Sequence, residues 1–301
     1  MDNILIIGGN GFLGNHITKN IKNKGLFNVY VFDRVSNSDK SIKTFIGDVK
    51  DITLLKQIIA KQKINIIIYL VSTLIPSSSF SEYSKDLEIV YAPLNELLMY
   101  ASENNIKFVF FSSGGTVYGS QSGKLKETDK TNPISFYGLS KVQIENLILF
   151  YNKQYNLKYL IIRPSNPYGY GQNINGRQGL IAVGLGKILN NQTIDIYGDG
   201  ENIRDYIFID DFCYYINELL KLDINNKILN IGSGIGYSIN QVLSIIETIT
   251  NKHFNINRKE ARAVDVKSII MNIEELEKIV PYKQQTLQAG ISDFYKKLKM
   301  L

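Results

Sequence analysis

Residues 1–14 restrict the fold of this chain more than any other stretch. Asn3-Ile4-Leu5-Ile6-Ile7 is a short unbroken apolar run, the pattern of a strand buried on both faces of a parallel sheet. It leads directly into Gly8-Gly9-Asn10-Gly11-Phe12-Leu13-Gly14. Gly8, Gly11 and Gly14 predict a tight turn into a helix that begins near Phe12. Glycines let the backbone approach a pyrophosphate, and the helix start adds free N–H groups and a positive dipole end. The same spacing also occurs in ordinary strand-to-helix turns, so the next strand decides its meaning.

Val29-Tyr30-Val31-Phe32 reads as that strand and ends in Asp33. An acid about twenty residues beyond the loop can hold the adenosine ribose hydroxyls, which favours NAD over NADP. Arg34 follows at once and is a group able to meet a 2′-phosphate. Phe45-Ile46-Gly47-Asp48-Val49 ends a further strand with an acid, placed either for an adenine amino group or as a solvated loop carboxylate. Ile64–Leu70, Phe108–Phe111 and Leu157–Ile162 read as more buried strands, with helical stretches between them. Strands alternating with helices predict a Rossmann-type doubly wound parallel α/β sheet.

Tyr137-Gly138-Leu139-Ser140-Lys141 carries the chemistry. Tyr and Lys at i and i+4 share one helix face, and the residues that follow, Val142 to Phe150, recur as a long amphipathic helix. A phenol titrates near pH ~10 in water. A neighbouring ammonium favours the phenolate, and an oxidised nicotinamide adds a second positive charge. The sequence therefore predicts a depressed Tyr137 pKa and a proton acceptor for an alcohol or sugar hydroxyl. With 19 tyrosines in the chain, the pair alone is also compatible with a surface lysine beside a half-buried tyrosine. The glycine loop tips the reading towards a nicotinamide site.

Taken together, these motifs resemble the extended short-chain dehydrogenases/reductases of the nucleotide-sugar epimerase and dehydratase group. The resemblance runs nearly end to end. It includes Ser112-Ser113-Gly114-Gly115-Thr116-Val117-Tyr118-Gly119, Arg163-Pro164-Ser165-Asn166-Pro167-Tyr168-Gly169 and Tyr197-Gly198-Asp199-Gly200. Arg204 to Asp211, Asn230 to Gly234 and Arg262-Ala263-Val264-Asp265 continue it. It implies a dinucleotide domain over 1–165 and a smaller C-terminal α/β substrate lobe over 166–301, with an interleaved boundary. It assigns Tyr137 as proton acceptor and donor, and Lys141 to the nicotinamide ribose and to the tyrosine. The cofactor set is Gly8, Gly11, Phe12, Leu13, Gly14, Asp33, Arg34, Asp48, Val49, Leu70, Tyr137, Lys141 and Pro164. The substrate set is Asn166, Gln178, Arg204 and Arg262, the two arginines clamping a diphosphate through planar charge-assisted bonds.

Two departures matter. Gly114 stands where the family places a strand-end hydroxyl, leaving Ser113 or Thr116 to supply it. The acid pair of the dehydratases is absent from Gly115 and Thr116, which argues against elimination of water. Tyr69-Leu70-Val71-Ser72 also replaces the usual histidine and small residues, and Val90 or Tyr91 stands where an asparagine is common. The implied activity is an NAD-dependent 4-epimerase for a nucleotide sugar, acting through a transient 4-keto sugar. UDP-sugars come first, with GDP-, CDP- and dTDP-sugars open. A C4 dehydrogenase or reductase with net NAD(H) turnover stays as an alternative, and a silent NAD- or sugar-nucleotide-binding protein as another.

Net charge is +6, but the basic residues are spread along the chain, which argues against a nucleic-acid partner. The single cysteine, Cys213, allows no internal disulfide and suits a reducing cytoplasm. His16 and His253 lie far apart, and no metal-ligand spacing is present. Met1-Asp2-Asn3 lacks the basic start of a signal peptide, and no run has transmembrane length. The apolar faces near Leu94–Glu103 and Ser140–Tyr155 imply, through the resemblance, a homodimer.

Overall fold

The computed structural model describes residues 1–176, 178–261 and 266–300. The chain forms two compact units built from interleaved segments. One takes Met1–Val117, Thr131–Arg163 and Cys213–Leu229; the other takes Tyr118–Lys130, Pro164–Phe212 and Asn230–Leu301.

The first unit is organised by a seven-stranded sheet. Its order is Lys227–Ile231, Tyr159–Pro164, Lys107–Phe111, Ile66–Tyr69, Asn3–Ile7, Asn28–Asp33, Lys43–Ile46. The six strands from Tyr159–Pro164 to Lys43–Ile46 pair in parallel. Ile4, Leu5, Ile6 and Ile7 are completely buried, as a strand covered on both faces requires. The chain order reverses between Asn3–Ile7 and Ile66–Tyr69, so the carboxyl ends of those strands form a topological switch point, where open α/β sheets bind ligands. The expected third strand stops at Ile46, so Gly47, Asp48 and Val49 belong to the loop after it. Lys227–Ile231 is a seventh strand that the sequence reading did not assign.

Phe12–Lys24 is a helix directly after the glycine loop, closed by Gly25 in the left-handed region at φ 65. The chain's longest helix, Phe136–Tyr155, starts at Ser135, whose hydroxyl accepts from the Gly138 N–H at 3.2 Å. A Cβ on Gly138 would lie 2.6 Å from the Thr116 carbonyl oxygen. The missing side chain therefore lets this helix start press against the segment Gly114–Val117 that follows Lys107–Phe111. Leu87–Tyr91 is a π-helical turn between helices Phe80–Asp86 and Ala92–Glu103, closed by the Ala92 N–H on the Leu87 carbonyl. Pro93 has no N–H to give to Ile89, and a slipped hydrogen-bond ladder is the usual consequence of such a gap.

The second unit holds a sheet in the order Gly236–Ser238, Ile203–Phe208, Ser268–Met271, Lys124–Leu125, with Asn166–Tyr168 also paired to Ile203–Phe208. Helices Leu180–Leu189, Ile239–Thr250 and Leu287–Lys299 belong to it. Asp205 is completely buried. Its carboxylate accepts from the Ser233 N–H (2.8 Å), the Ser233 hydroxyl (2.9 Å), the Gly234 N–H (3.0 Å) and the Met271 N–H (3.1 Å). Burial pushes its pKa up while these donors hold it down, and burial wins. The side chain ties three chain segments together.

Candidate active site

A cavity of about 530 Å³ opens at the switch point of the first unit. Gly8, Gly11, Asp33, Arg34, Asp48, Val49 and Leu70 line it, from the expected cofactor set, together with Phe32, Gly47, Val71, Ser72, Thr73 and Ile89. Gly8 has φ +83, a conformation that side chains resist. Gly11 caps the helix with no side-chain hydrogen bond, and no acidic residue follows in the first turn. The first N–H groups of the helix are thus left to another acceptor. Beyond Gly11 a Cβ would meet only the Gly8 carbonyl oxygen, at 3.6 Å. Asp33 accepts from the Asn10 N–H at 2.9 Å, which fixes its carboxylate at the loop. Phe12, Leu13 and Gly14 do not line the cavity; they build the helix start beneath it.

Gly14 is the tightest of the three loop glycines. A Cβ there would lie 2.4 Å from the Gly8 carbonyl oxygen and 2.7 Å from Gly9 Cα, both rigid backbone atoms. Gly14→Ala is therefore expected to destabilise the protein by about 1–3 kcal/mol and to reduce the NAD retained on purification. Urea unfolding and the nicotinamide released on denaturation read the two effects.

Tyr137 and Lys141 occupy successive turns of Phe136–Tyr155, with the lysine Nζ 5.5 Å from the phenol ring centre. Lys141 is 4 % exposed and donates to the Phe111 carbonyl at 3.0 Å. Desolvation pulls its pKa down to about 8, opposed by the carboxylates of Asp86 and Glu145. The expectation of a depressed Tyr137 pKa is corrected: burial of the phenol raises it, and only a hydrogen bond from Ser113 works the other way. In the protein alone the lysine charge does not outweigh desolvation. The candidate hydroxyls separate here. Ser113 bonds the phenol, while Thr116 Oγ1 is buried without a partner. Gly114 opens the short helix Gly114–Val117 and offers nothing but backbone.

Glu145, one turn beyond Lys141, receives Arg163 Nη2 at 2.6 Å and Nε at 3.0 Å. It also accepts the Ser112 hydroxyl. Asp86, 1 % exposed, accepts from Ser140 Oγ at 2.7 Å and from the Thr73 hydroxyl. Neither acid was singled out in the sequence, because their partners are remote in the chain.

Among the second unit's pockets, one of about 200 Å³ is lined by Leu180, Asp195, Ile196, Tyr197, Asn202, Arg204, Tyr206 and Ile239; a larger one of about 340 Å³ lies around Tyr168, Tyr206 and Tyr282. Of the expected substrate residues that are described, Arg204 alone lines the smaller pocket; its Nη1 donates to the Ile203 carbonyl at 2.8 Å. Asn166 donates instead to the Asp205 carbonyl at 2.7 Å, and Gln178 is exposed outside the pocket. Pro164 ends a sheet strand and is buried. Arg262 lies outside the described residues.

The sequence profile described as the NAD dependent epimerase/dehydratase family matches residues 4–232. The chain belongs to that family. An Escherichia coli dTDP-4-dehydro-6-deoxyglucose reductase is 32 % identical over 292 residues, 90 % of this chain and 89 % of that protein. A putative UDP-glucose 4-epimerase of Methanocaldococcus jannaschii is 31 % identical over 297 residues, 96 % of this chain and 95 % of its own. Among solved structures, the UDP-glucose 4-epimerase of Thermotoga maritima with UDP-glucose has a TM-score of 0.90 at 27 % identity and covers 99 % of each chain.

The epimerase/dehydratase fold and an NAD cofactor suit the cavity described above. The open Gly11 face, the uncapped helix start and the acid at the end of Asn28–Asp33 are what a dinucleotide needs. The buried Tyr69 hydroxyl at the end of the switch-point strand has no partner, like Thr116 Oγ1. Among the described residues no group of His, Cys, Asp or Glu is placed to hold a metal ion, and no helix is long and apolar enough to cross a membrane.

Proposed function

We propose that this family member is a nucleotide-sugar 4-epimerase, with UDP-sugars as the first substrate class. The observation that carries the reading is the cluster of Tyr137 and Lys141, on the helix Phe136–Tyr155, with Ser113, just after the strand Lys107–Phe111, in the unit that also contains the dinucleotide cavity. The UDP-glucose 4-epimerase relatives support it. The chemistry supplied by bound NAD is reversible hydride transfer at C4 of the sugar. Tyr137 takes the proton of the 4-hydroxyl and returns it. The Ser113 hydroxyl donates to the same phenol oxygen, and Lys141, anchored on the Phe111 carbonyl, supplies positive charge beside it. Positive charge is what the raised phenol pKa requires.

Arg204 is the proposed diphosphate ligand, with Tyr197 and Tyr206 as neighbouring walls. Removing one charged partner of a phosphate costs several-fold to a hundredfold in binding. Arg204→Ala is therefore expected to weaken UDP affinity by about 10–100-fold in calorimetry, and unchanged affinity would sink the assignment.

A second reading, a reductase of 4-keto nucleotide sugars with net NADH consumption, is favoured by two observations. The E. coli reductase is among the similar relatives, and Gly114 removes the family's usual hydroxyl. Incubation with NAD and a panel of UDP-, GDP-, CDP- and dTDP-sugars, run beside incubation with NADH and a 4-keto-6-deoxy nucleotide sugar, separates the two. A new 4-epimer by proton NMR without net change in nicotinamide absorbance supports the epimerase. Net nicotinamide turnover with a keto sugar supports the reductase. No change with any sugar nucleotide overturns both. The exposed rings of Phe150 and Tyr155 on Phe136–Tyr155 support a homodimer through that helix and its neighbour Ala92–Glu103.

A further inference from the structure

Lys141 is a cation taken almost wholly out of water, and a buried charge persists only when another charge or several hydrogen bonds compensate it. From its own helix Lys141 meets the Tyr137 ring and Glu145. From Lys107–Phe111 it meets the Phe111 carbonyl and the Phe110 ring, 5.0 Å from Nζ to the ring centre. From Phe80–Asp86 comes Asp86, and Arg163 of Tyr159–Pro164 enters the cluster through Glu145.

These groups balance unequally. Glu145 is gripped at two points by Arg163, and the pair is buried on both sides, 4 % and 3 % exposed. Its charge is compensated without Lys141. Asp86 is different. The bonds it accepts come from two neutral hydroxyls, Ser140 and Thr73, and among the described residues no ion pair reaches it. Ser140 immediately precedes Lys141, so the bond sets the carboxylate beside the lysine turn. Four buried ionisable groups result, two acids and two bases, and only one pairing leaves none uncompensated.

We propose that Asp86 is the counter-ion of Lys141 and a positioning residue that keeps the lysine protonated beside Tyr137. The catalytic meaning of this pairing rests on the role given to Tyr137 above. The pairing itself does not, and the test reads the pairing without any substrate.

The test is a double-mutant cycle in stability: the parent protein, Asp86→Asn, Lys141→Met and the double variant, each unfolded with urea at about pH 7 and again at pH 9.5. Burial lowers the folded Lys141 pKa to about 8 from its ordinary 10.5. The unfolded chain therefore binds more protons between those values, and wild-type stability should rise with pH across that window. Below pH 8 the folded lysine carries its proton. The single substitutions should then be non-additive by about tenfold or more in the folding equilibrium. At pH 9.5 the lysine is neutral in the folded state, and the coupling should fall to within about twofold. A purely structural hydrogen bond of Asp86 to Ser140 would give a coupling that pH does not move, or none at all; either result overturns the proposal. If Asp86→Asn does not fold, the double variant decides. Recovery of folding when Lys141→Met is added supports the pairing, because a buried charge left alone is what destabilises. Failure of the double variant while Lys141→Met folds overturns it.

Discussion

Tyr137→Phe is expected to lower turnover by about 10²–10⁴-fold, the range for removing a positioned general acid–base group. The ring stays, so packing and NAD content should change little, and the loss should fall on kcat more than on KM. The pH profile adds a second check. In the protein alone the phenol is pushed above its ordinary value, so the proton leaves only while neighbouring positive charge persists. Lys141, lowered to about 8, loses that charge as pH rises. The rate should therefore climb from acid pH, level, and decline beyond about pH 8. A profile rising without limit to pH 10, or a Tyr137→Phe variant within tenfold of the parent, would remove Tyr137 from the mechanism.

The second large effect is on stability. Glu145→Ala would strip Arg163 of its bidentate carboxylate inside the sheet–helix layer. Breaking a buried ion pair from one side costs about 3–5 kcal/mol, since a desolvated guanidinium is left behind. The Ser112 hydroxyl loses its acceptor as well. Chemical denaturation should show a midpoint shift with an unchanged slope, the sign of lost stability rather than an altered unfolded state. A loss below about 1 kcal/mol would mean that the pair behaves like a surface contact. Activity should fall with it, because Glu145 sits on the same helix as Tyr137 and Lys141.

Much of the first unit was legible in the chain because its signals are local. A run such as Asn3–Ile7 has nowhere to go but a covered strand, and the glycine spacing after it leaves few alternatives to a turn into Phe12–Lys24. The same holds for Tyr137 and Lys141, which share one face of a helix start. What stayed hidden depends on distance or on small geometric slips. Asp86 finds Ser140 across 54 residues, and Glu145 finds Arg163 across 18; no periodicity announces either. Lys227–Ile231 mixes polar and apolar residues and reads as a motif, yet it completes the sheet edge. The choice between Ser113 and Thr116 needed the phenol's position, which one sequence does not contain. The tyrosine pKa failed for a physical reason: counting charges along a helix ignores the desolvation that a closed site imposes.

The four-donor carboxylate of Asp205 has a consequence for the order in which the protein is made. Its last donor, Met271, is 66 residues downstream, which a ribosome supplies after about 3–13 s at usual elongation speeds. Through that interval the nascent chain holds an acid whose donor set is incomplete, and for its first part the strand Tyr159–Pro164 also waits for Lys227–Ile231 to cover its open edge. Unpaired edges are templates for wrong partners. Synthesis that pauses before residue 271 thus leaves a chain whose second unit has no way to close, exposed to proteases and chaperones until translation resumes.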